Sequence, residues 1–171
     1  KDTIVATVMS NLGFFKMGER EQLHIEQTKV GDRYVLERMR EIGASLGGEQ
    51  SGHMIMLEHN STGDGLMTAC QYLAAVVRSG KSVAEAAAVM TRFPQELINV
   101  KVADKHALEG NEAIAASVSA VEAELGDEGR VLIRPSGTEP LIRVMVEASS
   151  EEAAVSMANR IADVVRSELG E

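Results

Sequence analysis

Along the first ninety residues, strand-like runs alternate with stretches of helical period, and this order limits the fold more than any other feature of the chain. Strand character falls on residues 4–9, 23–27, 44–48 and 53–57. Asp32 is placed to cap a helix whose apolar positions Val35, Met39, Ile42 and Leu46 follow the helical period. Asp64 is placed to cap the next, with Leu66, Cys70, Leu73 and Val77 inward and Gly80 as the stop. Ser82 and Glu85 have capping-box spacing for a short helix after it. The order is therefore strand, helix, strand, helix, two strands, two helices.

Phe93-Pro94 interrupts the helical pattern, which places a linker at 92–96. Beyond it the order is strand (97–103), helix, hairpin, helix. Ile114, Val118, Val121 and Leu125 share one helical face, and Gly126 ends that helix. Residues 130–134 and 141–148 form the two strands of the hairpin. Ser149 and Glu152 have capping-box spacing for a last helix carrying Ala154, Ala158, Ile161, Val165 and Leu169. Such a β-α-β-β-α unit is a compact α+β layer.

Composition narrows the function classes. Apolar residues make up 44% of the 171, enough for a globular core, whereas aromatics are only 3% and Trp is absent. The cores must then be built from Ala, Val, Leu, Ile and Met. A net charge of −9 argues against a nucleic-acid backbone or an anionic membrane as partner. The single cysteine, Cys70, excludes an internal disulfide and reads as a small buried hydrophobe. No apolar run approaches a membrane span, and the cytoplasm is the default setting. Lys1-Asp2-Thr3 leads straight into a strand-like run, so the chain reads as a piece of a longer one.

Three loops carry the residue types that chemistry needs. Arg134-Pro135-Ser136-Gly137-Thr138-Glu139-Pro140 combines a permanently charged guanidinium fork, two hydroxyls, a glycine that lets the backbone bend inward and two stiffening prolines. A plain hairpin turn needs neither the Arg nor both hydroxyls, so this loop is read as a phosphate cradle. Gly47-Gly48-Glu49-Gln50-Ser51-Gly52-His53 gathers a carboxylate, an amide, a hydroxyl and an imidazole, a set suited to sugar hydroxyls. On its residues alone it is equally a flexible polar turn. Thr28-Lys29-Val30-Gly31-Asp32-Arg33 precedes a helix and could hold an anion, although on its residues alone capping by Asp32 beside two solvated cations is the preferred reading. Asp, Glu, His and Cys cluster nowhere at metal-ligand spacing, and no nucleophile triad, Walker loop or dinucleotide fingerprint is legible.

In this order the three loops resemble the third- and fourth-domain signatures of the α-D-phosphohexomutase family, through residues 28–35, 47–53 and 134–140. The run Ala6-Thr7-Val8-Met9-Ser10-Asn11-Leu12-Gly13, with Gln50, is most similar to the bacterial branch acting on glucosamine phosphates. Members acting on glucose and mannose phosphates more often carry Met where Gln50 stands. The resemblance implies an α/β mixed-sheet domain over 1–91, an incomplete third domain of a phosphohexomutase. After the linker it implies a small α+β domain of TATA-box-binding-protein-like type over 97–171.

The resemblance also implies a function for the whole protein. Glucosamine 6-phosphate and glucosamine 1-phosphate would interconvert through a phosphoserine and a bisphosphorylated sugar, upstream of UDP-N-acetylglucosamine and peptidoglycan. Glu49 and Ser51 would bind sugar hydroxyls, and Arg134, Ser136, Gly137 and Thr138 the phosphate that is not reacting. Lys29 and His53 would serve proton shuttling or charge stabilisation near the transfer. The phosphoserine loop and the Asp-rich Mg²⁺ loop of the family are missing from this sequence, so Mg²⁺ would have its ligands outside it, and the piece alone is expected to be inactive. The implied partner is a hexosamine phosphate, and a homodimer of the whole protein is open. A phosphomannomutase/phosphoglucomutase activity and a non-catalytic sugar-phosphate-binding module are the alternatives.

Overall fold

A computed structural model describes residues 2–170, so Lys1 and Glu171, the outer ends of the two expected domains, lie outside the described residues. The chain divides into two units, residues 1–92 and 93–171.

In the first unit a four-stranded sheet forms from β1 (Thr3–Thr7), β2 (His24–Thr28), β3 (Leu46–Gly48) and β4 (Met54–Met56), in the order β2-β1-β3-β4. β1 runs parallel to both neighbours, and β4 closes the edge antiparallel to β3. The helices α1 (Leu12–Arg20) and α2 (Asp32–Ile42) make the crossovers that parallel pairing requires. Two further helices, α3 (Gly65–Ser79) and α4 (Val83–Ala87), follow β4.

α2 is held to the sheet by Val35 and Met39, which pack with Val5, Ala44 and Ile55 in a small core. Gly47 makes this close approach possible. A Cβ there would lie 2.6 Å from Met39 Sδ and 2.8 Å from Val35 Cγ1. Leu46 belongs to β3 and not to the helix, because Gly43 adopts a left-handed conformation and ends α2. Asp32 is the first helical residue and not the cap. The N-cap is Gly31, whose φ of 132° is a conformation that favours glycine.

α3 has the expected cap, Asp64 accepting from the Met67 amide, and the expected left-handed stop at Gly80. Its burial reverses the expectation. Leu66 and Val77 are each 79% exposed, Leu73 is also exposed, and Cys70 is an exposed free thiol. The helical period correctly marks an apolar stripe. Of the α3 residues, only Val76, off that stripe, is buried.

In the second unit, β5 (Gln95–Lys101), β6 (Arg130–Pro135) and β7 (Leu141–Glu147) form an antiparallel sheet in the order β5-β7-β6. Gln95 and Glu96, placed in the linker from sequence, already belong to β5. Two helices pack on one face, α5 (Glu112–Leu125) and α6 (Glu151–Leu169). Their apolar stripes meet Val100, Ile142, Val144 and Val146 in a continuous core. Asn111 caps α5. Ser150, one residue later than the sequence suggested, caps α6 by accepting from the Ala153 amide. A single 3-10 turn, Lys105–Leu108, lies between β5 and α5. No helix among the described residues is long and apolar enough to cross a membrane.

Candidate functional site

The register of the first sheet aligns Thr7 with Thr28 and Ala6 with Gly48. The 28–32 and 49–53 loops therefore leave the same carboxyl edge of the parallel strands, the edge where open α/β sheets bind ligands. A hydrogen bond joins them: the Gly31 amide donates to Glu49 Oε1 at 2.8 Å. Glu49 thus caps α2 from another loop through one of its carboxylate oxygens.

The 49–53 loop is closed by its own backbone, with the Glu49 amide donating to the His53 carbonyl and the Gly52 amide to the Glu49 carbonyl. At its tip Ser51 Oγ lies 3.1 Å from His53 Nδ1, so hydroxyl and imidazole form one hydrogen-bonded pair at an exposed position. Gly63 backs this histidine, and a Cβ there would come within 3.3 Å of its ring. Lys29 is exposed at the end of β2, and among the described residues no hydrogen bond ties its ammonium to Glu49, Ser51 or His53. Four residues expected to act together are therefore brought together only in part.

In the second unit, the register of β6 and β7 sets Arg134 directly opposite Arg143. Directly opposed residues share a sheet face, so two cations stand side by side. Burial, and then the neighbouring Arg143 charge, lower the pKa of the Arg134 guanidinium from its ordinary value. It still stays charged at any working pH. Among the described residues Arg134 has no carboxylate partner. The nearest acidic group to Arg143 is Glu139, 3.7 Å away, and Arg143 Nε is buried without a hydrogen-bond partner.

Above this pair the 136–140 loop is tightly organised. The Ser136 amide donates to the Leu141 carbonyl at 2.8 Å, and Ser136 Oγ accepts from the Glu139 amide. Ser136 is buried, so its hydroxyl shapes the loop while keeping its own proton to donate. Gly137 and Thr138 are exposed at the tip. The glycine is not needed for the turn itself: its φ is not left-handed and a Cβ would meet nothing.

Sequence reasoning missed three participants: Gly31, Arg143 and Lys105. Arg143 had a signal, because its alternation with Ile142 and Val144 turns it away from the core. Lys105 had none, since the loop it touches is 31 residues away. Among the described residues no three His, Cys, Asp or Glu side chains converge on a point that could hold a metal ion. The residues present therefore do not fit a Mg²⁺ site.

Comparison with known proteins agrees with this architecture. Residues 1–93 match the family described as phosphoglucomutase/phosphomannomutase, alpha/beta/alpha domain III, and residues 97–164 match the C-terminal domain of the same family. The chain is 56% identical over 167 residues to a phosphoglucosamine mutase of Macrococcus caseolyticus, covering 98% of this chain and 37% of the relative. It is 53% identical over 169 residues to a phosphoglucosamine mutase of Bacillus subtilis, covering 99% and 38%. The chain thus spans under two-fifths of the length of these curated relatives. Among solved structures, Aspergillus fumigatus N-acetylphosphoglucosamine mutase in complex with GlcNAc-6P and magnesium superposes with a TM-score of 0.82 at 21% identity, covering 96% of this chain and 38% of that one. At that identity the likeness speaks for the fold alone. Domain order, sheet topology and these matches together place the chain in the phosphoglucomutase/phosphomannomutase family.

Proposed function

We propose that the chain is the substrate-recognising, C-terminal portion of a phosphoglucosamine mutase. The whole protein would interconvert glucosamine 6-phosphate and glucosamine 1-phosphate through a phosphoserine and a bisphosphorylated sugar. One observation carries the phosphate half of this reading: Arg134 and Arg143 face each other across β6 and β7, and no carboxylate among the described residues pairs with Arg134. Like charges directly opposed on a sheet destabilise it, and a phosphate dianion between the two forks turns that repulsion into charge-assisted hydrogen bonds.

Arg134, Ser136, Gly137 and Thr138, joined by Arg143, hold the phosphate that is not being transferred. Glu49 and Ser51 accept from and donate to sugar hydroxyls. Guanidinium and hydroxyl donors grip a phosphate from any rotation about its axis, which suits a site that must take the sugar in two orientations. Lys29 and His53 serve proton movement or charge stabilisation, His53 being oriented by Ser51. Mg²⁺ would offset phosphate charge from ligands outside this chain. The setting is cytoplasmic, with a hexosamine phosphate as partner and a homodimer compatible with it. Relatives named phosphoglucosamine mutase at 53–58% identity favour the amino sugar over the glucose and mannose phosphates of the family's description.

The test is Arg134→Ala in the intact protein, assayed on glucosamine, glucose and mannose phosphates. The expected loss in kcat/KM is about 2–4 kcal/mol, roughly 30- to 1,000-fold. Near-wild-type kinetics would reduce the loop to a turn. A wild-type preference for glucose or mannose phosphate would overturn the choice of sugar.

A further inference from the structure

Lys105 opens the 3-10 turn after β5 and reaches across to the 136–140 loop. Its ammonium donates to the Ser136 carbonyl at 2.7 Å and to the Gly137 carbonyl at 3.3 Å. The segment that carries it is pinned where it leaves β5. The Val102 amide donates to the Pro140 carbonyl, the far stem of the same loop, and the Ala103 amide to the Leu169 carbonyl of α6. The Asp104 carboxylate then accepts from the His106 amide and fixes the turn. Lys105 therefore approaches the loop from a rigid base.

The consequence follows from peptide geometry. In a trans peptide the carbonyl and the next amide point in opposite directions, and no described peptide is cis. Drawing the Ser136 carbonyl toward Lys105 turns the Gly137 amide away from it. Drawing the Gly137 carbonyl the same way turns the Thr138 amide away too. These two successive N–H groups have no acceptor among the described residues. Successive amides aimed to one side make an anion-binding concavity.

We infer that Lys105 is the positioning residue of the phosphate loop, holding two carbonyls back so that the Gly137 and Thr138 amides face an incoming phosphate. The inference deepens the proposed function and rests on its reading of this loop as a phosphate site. Without the ammonium, those carbonyls are free to swing toward the ligand, where their lone pairs would repel it.

The experiment uses the full 171-residue chain, ¹⁵N-labelled, titrated with inorganic phosphate, alongside Lys105→Met, Lys105→Arg and Arg134→Ala. In the wild-type chain the Gly137 and Thr138 amides shift on titration, and their order parameters before titration are near the rigid value of about 0.85. Lys105→Met raises the phosphate Kd about fivefold or more and drops those two order parameters below about 0.6, with the unfolding midpoint unchanged. Lys105→Arg keeps the charge and the donors and restores both readouts. Weakened binding in Lys105→Met with rigid amides would make Lys105 a direct ligand contact and overturn the positioning role. Unchanged affinity in Lys105→Met, with Arg134→Ala still weakened, would overturn the inference and leave the phosphate reading intact. A wild-type chain whose loop amides ignore phosphate would overturn both.

Discussion

The two units treat their apolar helix faces in opposite ways. In the second unit the stripes of α5 and α6 close over Val100, Ile142, Val144 and Val146, and every stripe position read from the sequence is buried or partly buried. In the first unit the stripe of α3 is equally regular, yet Leu66, Leu73 and Val77 face solvent. Periodicity reports that a helix has an apolar side; it does not report what that side meets. The second unit has a core of its own. The first closes α2 against the sheet and leaves α3 open.

Paired truncations test that contrast most strongly. Ile142→Ala should cost the second unit about 3 kcal/mol, since the side chain is fully buried on the central strand. Leu73→Ala should change the first by less than about 0.5 kcal/mol, as expected for an exposed site. Urea unfolding followed at amide signals of each unit would read both. A Leu73 cost near that of Ile142 would mean the α3 face is covered in solution, and the contrast would fail.

A smaller effect sharpens the packed side of the first unit. Gly47→Ala would push a methyl into Met39, Val35 and the Val5 carbonyl, at a cost of about 1–3 kcal/mol. The 49–53 loop signals should shift with it, because the loop follows directly on β3, the strand that carries Gly47. Unaltered stability would show that α2 can lift off the sheet without penalty.

The ion pairs differ in the same sense and give the smallest effect. Arg130 and Glu147 pair at 2.6 Å with the carboxylate fully buried, whereas Glu26 pairs with His24 and Arg38 at the surface of the first unit. The hydrogen bond from His24, then that from Arg38, holds the Glu26 carboxyl below its ordinary range. A lowered native pKa stabilises the fold above the unfolded value, near 4.5, and that contribution disappears as pH falls through the lowered one. Glu26→Gln should therefore narrow the stability gap between neutral and acid pH, slightly and less so in salt. A pH profile identical to wild type would remove Glu26 from the acid response.

Much of the fold is legible because its signals are local. Asp64 and Ser82 cap helices through hydrogen bonds three residues long, and Gly80 ends one through its own φ. The two misplaced caps, Asp32 for Gly31 and Ser149 for Ser150, are errors of one residue between adjacent polar or flexible candidates. Of the site, the loops themselves are legible, since Arg134, Ser136, Glu49 and His53 are unusual in their settings. The contacts that organise them are not: Gly31 reaches Glu49 over 18 residues, and Lys105 reaches Ser136 over 31.

The sequence by itself therefore determined the order of strands and helices, both ends of α3, the start of α4 and the end of α5, and the loops that carry polar chemistry. Each depends on neighbours within a turn or two of chain. Only the tertiary structure decided that α3 turns its apolar stripe and Cys70 outward, that Arg143 stands against Arg134, and that Lys105 holds the 136–140 loop from behind. Those outcomes depend on strand register and on which surfaces meet. Both are set by the simultaneous packing of segments far apart in the chain.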